Sequence, residues 1–356
     1  MAKIKYGIIG FGGIAENRIA KEGFACDKSR FKPLENAELV AVTDVNPARR
    51  AAAEALGLKW YGSADELLAD SQIQAIFVAT NNLTHASVAM KALKANRPVI
   101  VEKPMATTVA DGEALVNYAK SKGLSLTVDH MMVYNAWNKM ARDMVKGGAL
   151  GTVNDACFHM EFAYGYDPAE AATWRCANPD ELGGPIGDVA SHCFYMAEYF
   201  FDEPIVKLAA IYYPKLMDIV VEDGAYVKFQ MKSGRQASCK VAFSELRGGL
   251  GGTLSNLGYE IYGDVGALRS YGTMFQLSGH QGEPIQQRLI LDRFDGTACP
   301  VVPESYPNIY QSVIISHAKS IIDGKPLEGN DAVHNLRLCA ATHESAQNGG
   351  KLIEIK

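Results

Sequence analysis

Several features that define whole classes of protein are missing from this 356-residue chain. Its seven cysteines are scattered and odd in number, and none forms a C-x-x-C pair, so the pattern indicates neither a zinc knuckle nor a disulfide framework. No apolar run approaches the ~20 residues of a membrane span. The opening residues MAKIKYGIIG lack the apolar core and cleavage site of a secretory signal. We therefore predict a cytoplasmic protein with reduced thiols, no metal site and no membrane partner.

Basic blocks and long runs of one charge are also absent. The formal net charge is −5 and the pI is about 5.9, which argues against a nucleic acid or an anionic membrane as partner. Hydrophobic residues make up 48% of the chain and charged residues 21%, as in an ordinary globular protein. The composition therefore favours a small molecule as the partner.

The length of the chain predicts two domains, and the change in residue pattern near residue 130 places their boundary, which gives 1–129 and 130–356. In the first domain, short apolar runs alternate with helical patterns, which predicts an α/β fold with a doubly wound parallel sheet. Its strands are predicted at 3–9, 37–44, 75–80, 98–102 and 124–129, and its helices at 13–22, 47–56, 64–70, 83–95 and 110–122.

After residue 130 the pattern predicts an α+β domain with a mainly antiparallel sheet, because several strands are joined by glycine-bearing turns. Residues 165–184 are rich in Gly, Pro and Asp and are predicted to be loop. Strands are predicted at 151–164, 205–213, 224–232, 235–243, 258–263, 267–271 and 288–292, and helices at 135–147, 186–200, 308–322 and 331–347.

The stretch GIIGFGGIA follows the first strand and opens the first helix, so it has the G-x-G-x-x-G/A form of a dinucleotide-binding turn. Gly10 permits the tight turn, Gly12 allows close approach of a pyrophosphate, and Ala15 keeps the helix near the sheet. The helix amino terminus offers free N–H groups to phosphates. We predict that Gly10, Gly12, Gly13 and Ile14 contact a nicotinamide dinucleotide.

Asp44, at the end of the second strand, is placed to accept hydrogen bonds from an adenosine ribose, which favours NAD. Arg49 and Arg50 leave NADP open. The alternative is that Asp44 only caps the helix that follows Pro47.

Ligands of open α/β sheets lie at the carboxyl ends of the strands, and VATNNLTHA ends such a strand. Thr80, Asn82 and His85 are therefore predicted to line the cofactor crevice. The alternatives are that Asn82 or Thr84 caps the next helix and that His85 is a solvated surface residue.

The apolar strand PVIVEKPMA ends in two charges, and buried charges are costly unless they are paired or used. Lys103 could donate to a substrate hydroxyl or carry its proton, Glu102 could orient it or hold a ribose, and Pro104 could take a cis bond. The alternative is that Lys103 extends into solvent and Glu102 only caps a neighbouring group.

In ELGGPIGDVASHCFYMAEYF, Asp188 and His192 are four residues apart and share one face of a predicted helix. They could bind a sugar hydroxyl and pass a proton with Lys103. The alternatives are an exposed Asp–His pair and half of a zinc site, and zinc is disfavoured because no further ligand stands at metal spacing. Three further substrate-binding candidates are Trp174, which could stack on a sugar, Arg175, which could bind hydroxyls or a carboxylate, and His130, which follows the last strand of the first domain. The alternative is that Trp174 or Arg175 only braces the loop between the two domains.

Together GIIGFGGIA, VATNNLTHA, VEKPMA and GGPIGDVASH resemble the glucose–fructose oxidoreductase, inositol dehydrogenase and rhizopine-catabolism (Gfo/Idh/MocA) family over essentially the whole chain. The resemblance implies a Rossmann domain, a second domain built on a large and mostly antiparallel sheet, and chemistry at a hydroxyl or carbonyl of a sugar, cyclitol or polyol. It also implies a homo-oligomer, a dimer or tetramer, formed through that sheet. By position, Lys103 matches the family's catalytic lysine, and Asp188 and His192 match its pair for substrate binding and proton relay.

The chain departs from the family pattern at two places. It has Thr80-Asn81-Asn82 where T-P-N is common, and the run after the last Rossmann strand, DHMMVYNAW, has no arginine before Arg142. We therefore expect an NAD(P)-dependent oxidoreductase acting on a carbohydrate hydroxyl, without naming the sugar. The alternatives are an NAD-dependent glycosidase, which oxidises its sugar only transiently, and a non-catalytic dinucleotide sensor.

Overall fold

A computed structural model describes residues 3–245, 257–272 and 288–356 of the chain. The chain forms two compact units. The first contains Met1–Met131 and Pro307–Val333, and the second contains Met132–Tyr306 and His334–Lys356. No helix among the described residues is long and apolar enough to cross a membrane.

The first unit is built on a six-stranded, all-parallel sheet, which confirms the predicted Rossmann architecture. Its strand order is β3-β2-β1-β4-β5-β6, so the order reverses between β1 and β4 and opens the ligand crevice of doubly wound folds there. The strands are β1 Ile4–Ile9, β2 Ala37–Thr43, β3 Lys59–Tyr61, β4 Ala75–Val78, β5 Val99–Val101 and β6 Leu126–Val128. The edge strand β3 has no counterpart among the predicted strands.

The helices of the first unit begin and end close to their predicted bounds. Asn46 accepts the Ala48 N–H at 3.0 Å, and Ser63 accepts the Glu66 N–H at 3.2 Å, as their capping patterns predict. The helices are the wide π-type helix Ala15–Gly23, the 3₁₀ turn Pro47–Arg49, Arg50–Ala55, Ala64–Ala69, Asn82–Lys94, Val109–Lys122 and Ile309–Ile322.

Strand β5 lies in the middle of the apolar core. Val99, Ile100 and Val101 are fully buried, and each contributes roughly 1.5–3 kcal/mol through burial. The helix Asn82–Lys94 packs on this strand and turns His85, Ala89 and Leu93 inward. The strand is thereby fixed, and its carboxyl end, Glu102-Lys103, is held at the edge of the sheet.

The helix Ile309–Ile322 packs with the first unit, although its position in the chain places it in the expected second domain of 130–356. It contacts the helix Ala15–Gly23 and strand β2. The Tyr6 hydroxyl lies 2.8 Å from His317 Nδ1, and the Asn308 side-chain amide donates to Glu22 at 3.4 Å. These long-range buried contacts assign residues 307–333 to the first unit.

The second unit is built on a nine-stranded, mostly antiparallel sheet, as predicted. Its order is β14-β13-β12-β11-β7-β10-β9-β8-β15, and β7 pairs with β10 in parallel. The strands are β7 Val153–Glu161, β8 Ile205–Tyr212, β9 Gly224–Met231, β10 Gln236–Ala242, β11 Leu257–Gly263, β12 Gly266–Tyr271, β13 Arg288–Arg293, β14 Ala298–Val301 and β15 Ile353–Glu354. The short edge strands β14 and β15 were not predicted.

One face of this sheet packs on the helix that carries Asp188 and His192. Phe158 stacks on Phe200 with ring centroids 6.1 Å apart, and Phe194 meets Phe229 edge-on at 5.8 Å. These contacts fix the helix against the sheet. The helical segments here are the 3₁₀ turn Met131–Tyr134, Ala136–Lys146, the π-helical turn Ile186–Ala190, Ser191–Phe201 and Asn330–Gln347, the last containing the boundary at residue 333.

The prediction of loop for 165–184 was wrong in part. The segment contains the short helices Pro168–Ala171 and Trp174–Ala177 and the 3₁₀ turn Pro179–Glu181. Asp167 accepts the Ala169 N–H at 2.7 Å and Asn178 accepts the Asp180 N–H at 3.1 Å, each just before a proline at the first helical position. The Asp-Pro and Asn-Pro pairs are helix-start signals that the loop prediction overlooked.

Candidate active site

The glycine turn after β1 forms the first part of the site. Gly10 has φ +92°, and a Cβ placed there would lie 2.6 Å from the backbone of Ala79 and Thr80. Only glycine fits this left-handed, closely packed position. Gly12 and Gly13, by contrast, have open space above their Cα atoms, and Ile14 beside them is exposed. The open turn at a helix amino terminus fits the phosphates of a dinucleotide.

Asp44 lies directly against this turn. Its Oδ2 accepts the Phe11 N–H at 2.6 Å and its Oδ1 accepts the Asn46 N–H at 2.8 Å. Asn46, and not Asp44, caps the turn that begins at Pro47. The geometry therefore does not support the helix-cap alternative for Asp44, and it holds the carboxylate against the glycine turn.

Arg49 and Arg50 differ in their surroundings. Arg49 Nε donates to the Phe11 carbonyl at 2.7 Å, and its guanidinium also pairs with Glu16. Arg50 instead pairs with Glu54 at 2.7 Å along its own helix. Only Arg49 lies on the glycine turn, so it is the residue of the two that could meet a ribose 2′-phosphate.

His85 is buried, with 1% of its surface exposed, so the prediction of a solvated surface residue as the alternative was wrong. Its Nδ1 lies 2.7 Å from the Pro104 carbonyl oxygen and its Nε2 lies 3.0 Å from the Thr80 carbonyl oxygen. Burial lowers the pKa of the imidazole. His85 therefore connects the end of β4 to the turn that holds Lys103.

The residues between β4 and this helix give no side-chain cap. The helix Asn82–Lys94 begins after Asn81, whose side chain makes no capping bond. The Thr84 hydroxyl oxygen lies 2.9 Å from the Asn81 carbonyl oxygen and 2.9 Å from the Thr80 hydroxyl oxygen. Thr84 therefore does not act as the cap that one alternative required, and Thr80 lies directly beside Gly10.

Glu102 and Lys103 leave the end of β5 in a turn with a cis Lys103–Pro104 bond. The Glu102 N–H donates to the Val78 carbonyl at 2.9 Å, which extends the sheet pairing by one residue. The Lys103 N–H donates to Glu102 Oε2 at 3.1 Å. Both side chains are half-buried, at the same sheet edge as the glycine turn.

Two residues after β6 complete this edge. Asp129 is buried against Glu102, and His130 Nδ1 lies 3.2 Å from Asp331 Oδ2. Partial loss of hydration opposes ionisation of Asp331, whose side chain stays 67% exposed, but the hydrogen bond with His130 outweighs it and lowers the pKa of the carboxyl. No local pattern indicates Asp331, because it comes from a distant part of the chain.

In the second unit, Asp188 and His192 lie on consecutive helical turns and share one face. Asp188 is 9% exposed and His192 is 1% exposed, so the alternative of an exposed Asp–His pair was wrong. Asp188 lies on the π-helical turn Ile186–Ala190, a departure from the α-helix that is frequent at functional sites.

Each of these two side chains has a partner within the second unit. Asp188 Oδ2 pairs with Arg175 Nε at 3.3 Å, and His192 Nδ1 lies 2.8 Å from the Tyr195 hydroxyl. Asp188, and secondarily Tyr164, raises the pKa of Arg175. Sequence reasoning missed Tyr195, although its position three residues after His192 on one helix was a usable signal.

Trp174 and Arg175 stand side by side before this helix. The Arg175 guanidinium lies 4.5 Å from the centroid of the Trp174 ring, a cation–π contact. One face of the indole is therefore covered by its own neighbour. Arg175 is half-buried and connects Trp174 to Asp188 within this unit.

Glu222 is a further residue that the sequence did not reveal. Its Oε1 accepts the Ile186 N–H at 2.9 Å, at the start of the segment that carries Asp188. Burial raises the pKa of the carboxyl from its ordinary value of 4.5 to about 7. Gly184, with φ +83°, leaves room for this carboxylate.

No cluster of three or more His, Cys, Asp or Glu side chains suited to a metal ion occurs among residues 3–245, 257–272 and 288–356. Cys193, the neighbour of His192, lies against Cys239 in the core of the second unit.

Comparison with known proteins decides the family. The model of the GFO/IDH/MocA oxidoreductase family, NAD-binding Rossmann fold, matches residues 4–130, and the model of the GFO/IDH/MocA C-terminal domain matches residues 138–269. The chain belongs to the Gfo/Idh/MocA family. It is an NAD(P)-dependent oxidoreductase, and its first unit carries an NAD-binding Rossmann fold.

Relatives within the Gfo/Idh/MocA family include enzymes that act on sugars. The chain is 26% identical to 1,5-anhydro-D-fructose reductase of Ensifer adhaerens over 291 residues, 81% of each chain. It is 25% identical to D-apiose dehydrogenase of Paraburkholderia graminis, over 99% of this chain and 90% of that one. Both of these relatives are sugar oxidoreductases.

Solved Gfo/Idh/MocA-like structures share the fold over nearly the whole chain. Aldose-aldose oxidoreductase from Caulobacter crescentus, complexed with glycerol, superposes with a TM-score of 0.84 at 23% identity and covers 99% of this chain and 100% of its own. Levoglucosan dehydrogenase in complex with NADH and L-sorbose superposes with a TM-score of 0.82 at 19% identity and covers 100% of both chains. At these identities the likeness establishes the fold alone.

Proposed function

We propose that this enzyme transfers a hydride between nicotinamide and a secondary hydroxyl or carbonyl of a sugar, cyclitol or glycoside. The observation that carries the proposal is the chain of contacts along the strand ends of the first unit. Gly10 packs on the backbone of Ala79 and Thr80, and His85 joins the Thr80 carbonyl to the Pro104 carbonyl. A dinucleotide turn and the lysine-bearing turn are thus held at one edge of the sheet.

The residues that would hold the cofactor are those at this edge. Gly12, Gly13 and Ile14 offer an open backbone to the pyrophosphate, Asp44 offers a carboxylate to the adenosine ribose, and Thr80, Asn82 and Glu102 line the strand ends toward the nicotinamide ribose. His85 acts as a positioning residue, because backbone carbonyls face both of its ring nitrogens. When bound, the nicotinamide supplies the hydride acceptor or donor.

NAD is the proposed cofactor, with NADP as the second candidate. The Asp44 carboxylate would repel a 2′-phosphate and accept hydrogen bonds from a free ribose hydroxyl. Arg49 lies on the same turn but is already engaged by Glu16 and the Phe11 carbonyl. This engagement of Arg49 favours NAD.

Lys103 Nζ is proposed to exchange a proton with the reacting oxygen of the substrate. Such general acid–base catalysis contributes typically 10²–10⁴-fold. The turn that carries Lys103 is fixed by the Glu102 and His85 contacts, and precise placement of a proton-transfer group accounts for much of its effect.

Asp188 and His192 are proposed to bind the substrate and to relay its proton. If His192 donates its Nδ1 proton to the Tyr195 oxygen, Nε2 carries a lone pair and can accept a proton. Trp174, Arg175 and His130 are proposed as further substrate-binding residues. Asp188 and His192 are buried on one helix face, and Arg175 and Tyr195 hold them in fixed positions, which supports a role in binding.

We also propose that the enzyme is a cytosolic homo-oligomer formed through the outer face of the nine-stranded sheet. All seven cysteines are free, as expected for a reducing compartment. On the outer face, Tyr226 and Ile211 are exposed beside a groove of about 410 Å³. A second copy covering this face would bury both, and light scattering on the purified protein would give the assembly size.

The function is tested by incubating the purified enzyme with NAD or NADP and a panel of sugars, cyclitols and glycosides. We expect a continuous rise in NADH absorbance with at least one carbohydrate. A glycosidase would release aglycone without net NADH, and a sensor would bind NAD without turnover. The relatives named above are reductases and dehydrogenases, which favours neither alternative.

A further inference from the structure

Two carboxyl groups meet at the ends of the neighbouring strands β5 and β6. Val101 pairs with Val128 in register, and the Asp129 N–H donates to the Val101 carbonyl at 2.9 Å. Glu102 and Asp129 are therefore the first residues after two paired parallel strands, and their side chains lie within hydrogen-bonding reach of each other.

Among the described residues, no basic side chain pairs with Asp129 to balance a negative charge. Its side chain is 1% exposed, and neither of its oxygens meets an N–H or O–H donor in the described part of the chain. An ionised carboxylate in this position would be strongly destabilising. A neutral carboxylic acid avoids that cost, because it can donate its own proton to the Glu102 carboxylate.

The electrostatic surroundings of the pair also favour a neutral Asp129. Burial, and then the charge of Glu102, raises the pKa of Asp129 well above its ordinary range. Burial also raises the pKa of Tyr310, with smaller contributions from Asp129 and Glu102, so the Tyr310 hydroxyl stays neutral. The remaining charged groups nearby are Lys103, the His130–Asp331 pair, and Arg18 with Glu22 beyond Tyr310.

We propose that Asp129 is kept as a neutral carboxylic acid that donates its proton to Glu102, and that this carboxyl pair is the positioning device for Lys103. Glu102 Oε2 accepts the Lys103 N–H, so holding the Glu102 side chain also holds the backbone of the lysine. A second negative charge on Asp129 would repel Glu102 and release that hydrogen bond. The role assigned to the pair rests on the proposed function of Lys103.

Two substitutions of Asp129 distinguish the effect of its proton from the effect of its side-chain volume. In Asp129→Asn, the amide still donates to Glu102 but cannot ionise. In Asp129→Leu, the side chain cannot donate at all. Asp65→Asn is the matched control, because Asp65 is an exposed carboxylate of the same unit.

The protonation is measured directly by infrared spectroscopy of the purified enzyme near neutral pH. We expect a carbonyl component of a protonated carboxylic acid that Asp129→Asn removes and Asp65→Asn leaves in place. The component from Glu222, whose pKa is about 7, is identified separately by Glu222→Gln. This measurement needs neither substrate nor turnover. A spectrum that Asp129→Asn does not change would overturn the proposal and would leave the proposed function untouched.

The positioning role is measured by turnover and NAD affinity together. We expect Asp129→Asn to keep kcat within about threefold and to retain activity at alkaline pH where the unsubstituted enzyme loses it, because Asn cannot ionise. Asp129→Leu should lower kcat by on the order of 100-fold, because a displacement of about 1 Å has that effect, while the Kd of NAD stays unchanged. Equal kcat for both variants would refute the positioning role.

Failure of the proposed function gives a different result from failure of this inference. If no carbohydrate is turned over, the infrared band still decides the protonation state of Asp129. If Asp129→Leu does not fold, as circular dichroism would reveal, the alkaline limb of Asp129→Asn still tests the positioning role. An alkaline limb identical to that of the unsubstituted enzyme would contradict it.

Discussion

Replacing Glu222 by Gln should flatten the pH dependence of stability in this enzyme. The Glu222 carboxyl is buried at the start of the segment that carries Asp188, and it accepts the Ile186 N–H. A glutamine oxygen can accept the same hydrogen bond, so the substitution removes the ionisation and keeps the contact. Lys215 and Asp223 are the other charged groups that act on Glu222.

The size of the effect follows from the pKa of Glu222. Folding raises it from 4.5 to about 7, so between these values the folded chain keeps a proton that the unfolded chain has lost. The contribution of Glu222 to the free energy of unfolding is therefore largest below pH 4.5, and it falls as the pH rises toward 7. At about 1.4 kcal/mol for each pH unit, the loss reaches at most about 3 kcal/mol.

Urea unfolding at a series of pH values across this window measures the difference. We expect Glu222→Gln to match the unsubstituted enzyme at the acidic end and to be more stable at the neutral end, by up to about 3 kcal/mol. Glu344→Gln is the control, because Glu344 is an exposed glutamate of the same unit. Parallel stability curves for the Glu222→Gln and unsubstituted enzymes would refute the burial argument.

Three further substitutions test individual contacts of the site. Gly10→Ala should abolish NAD binding and lower the Tm more than Gly57→Ala, because both positions have positive φ but only Gly10 is packed against backbone; similar Tm values would contradict this. Tyr195→Phe should lower kcat about tenfold at unchanged Kd of NAD, since one hydrogen bond to His192 is lost; unchanged kcat over the whole pH range would refute the role of Tyr195. Asp44→Ala should lower kcat/KM for NAD about tenfold more than for NADP, because a bidentate polar contact to the ribose is lost; an unchanged ratio would exclude ribose recognition by Asp44.

Local sequence patterns predicted most of the secondary structure, because the chain signals its element boundaries with ordinary chemistry. Asn46 before Pro47 and Ser63 before Glu66 act as the caps that their patterns predict. The glycine turn was predictable since only glycine fits at Gly10. The missed strands β3, β14 and β15 are short edge strands, whose two to four residues carry too little pattern to detect.

Long-range contacts set the limits of prediction for the site. Asp331 meets His130 across 201 residues of chain, and Glu222 meets Ile186 across 36, so no local pattern announces either. His85 could have been predicted as buried, since it lies on the inward face of its helix with Ala89 and Leu93. The helix Ile309–Ile322 joins the first unit through tertiary packing that its own sequence does not specify.

The central claim is that Lys103 exchanges a proton with a carbohydrate substrate during hydride transfer. The most direct test compares Lys103→Ala with Lys94→Ala, an exposed lysine of the same unit, in turnover and in NAD affinity. We expect Lys103→Ala to keep the Kd of NAD and to lose at least about 100-fold in kcat, while Lys94→Ala keeps both. A Lys103→Ala enzyme that turns over sugar at the unsubstituted rate would contradict the account.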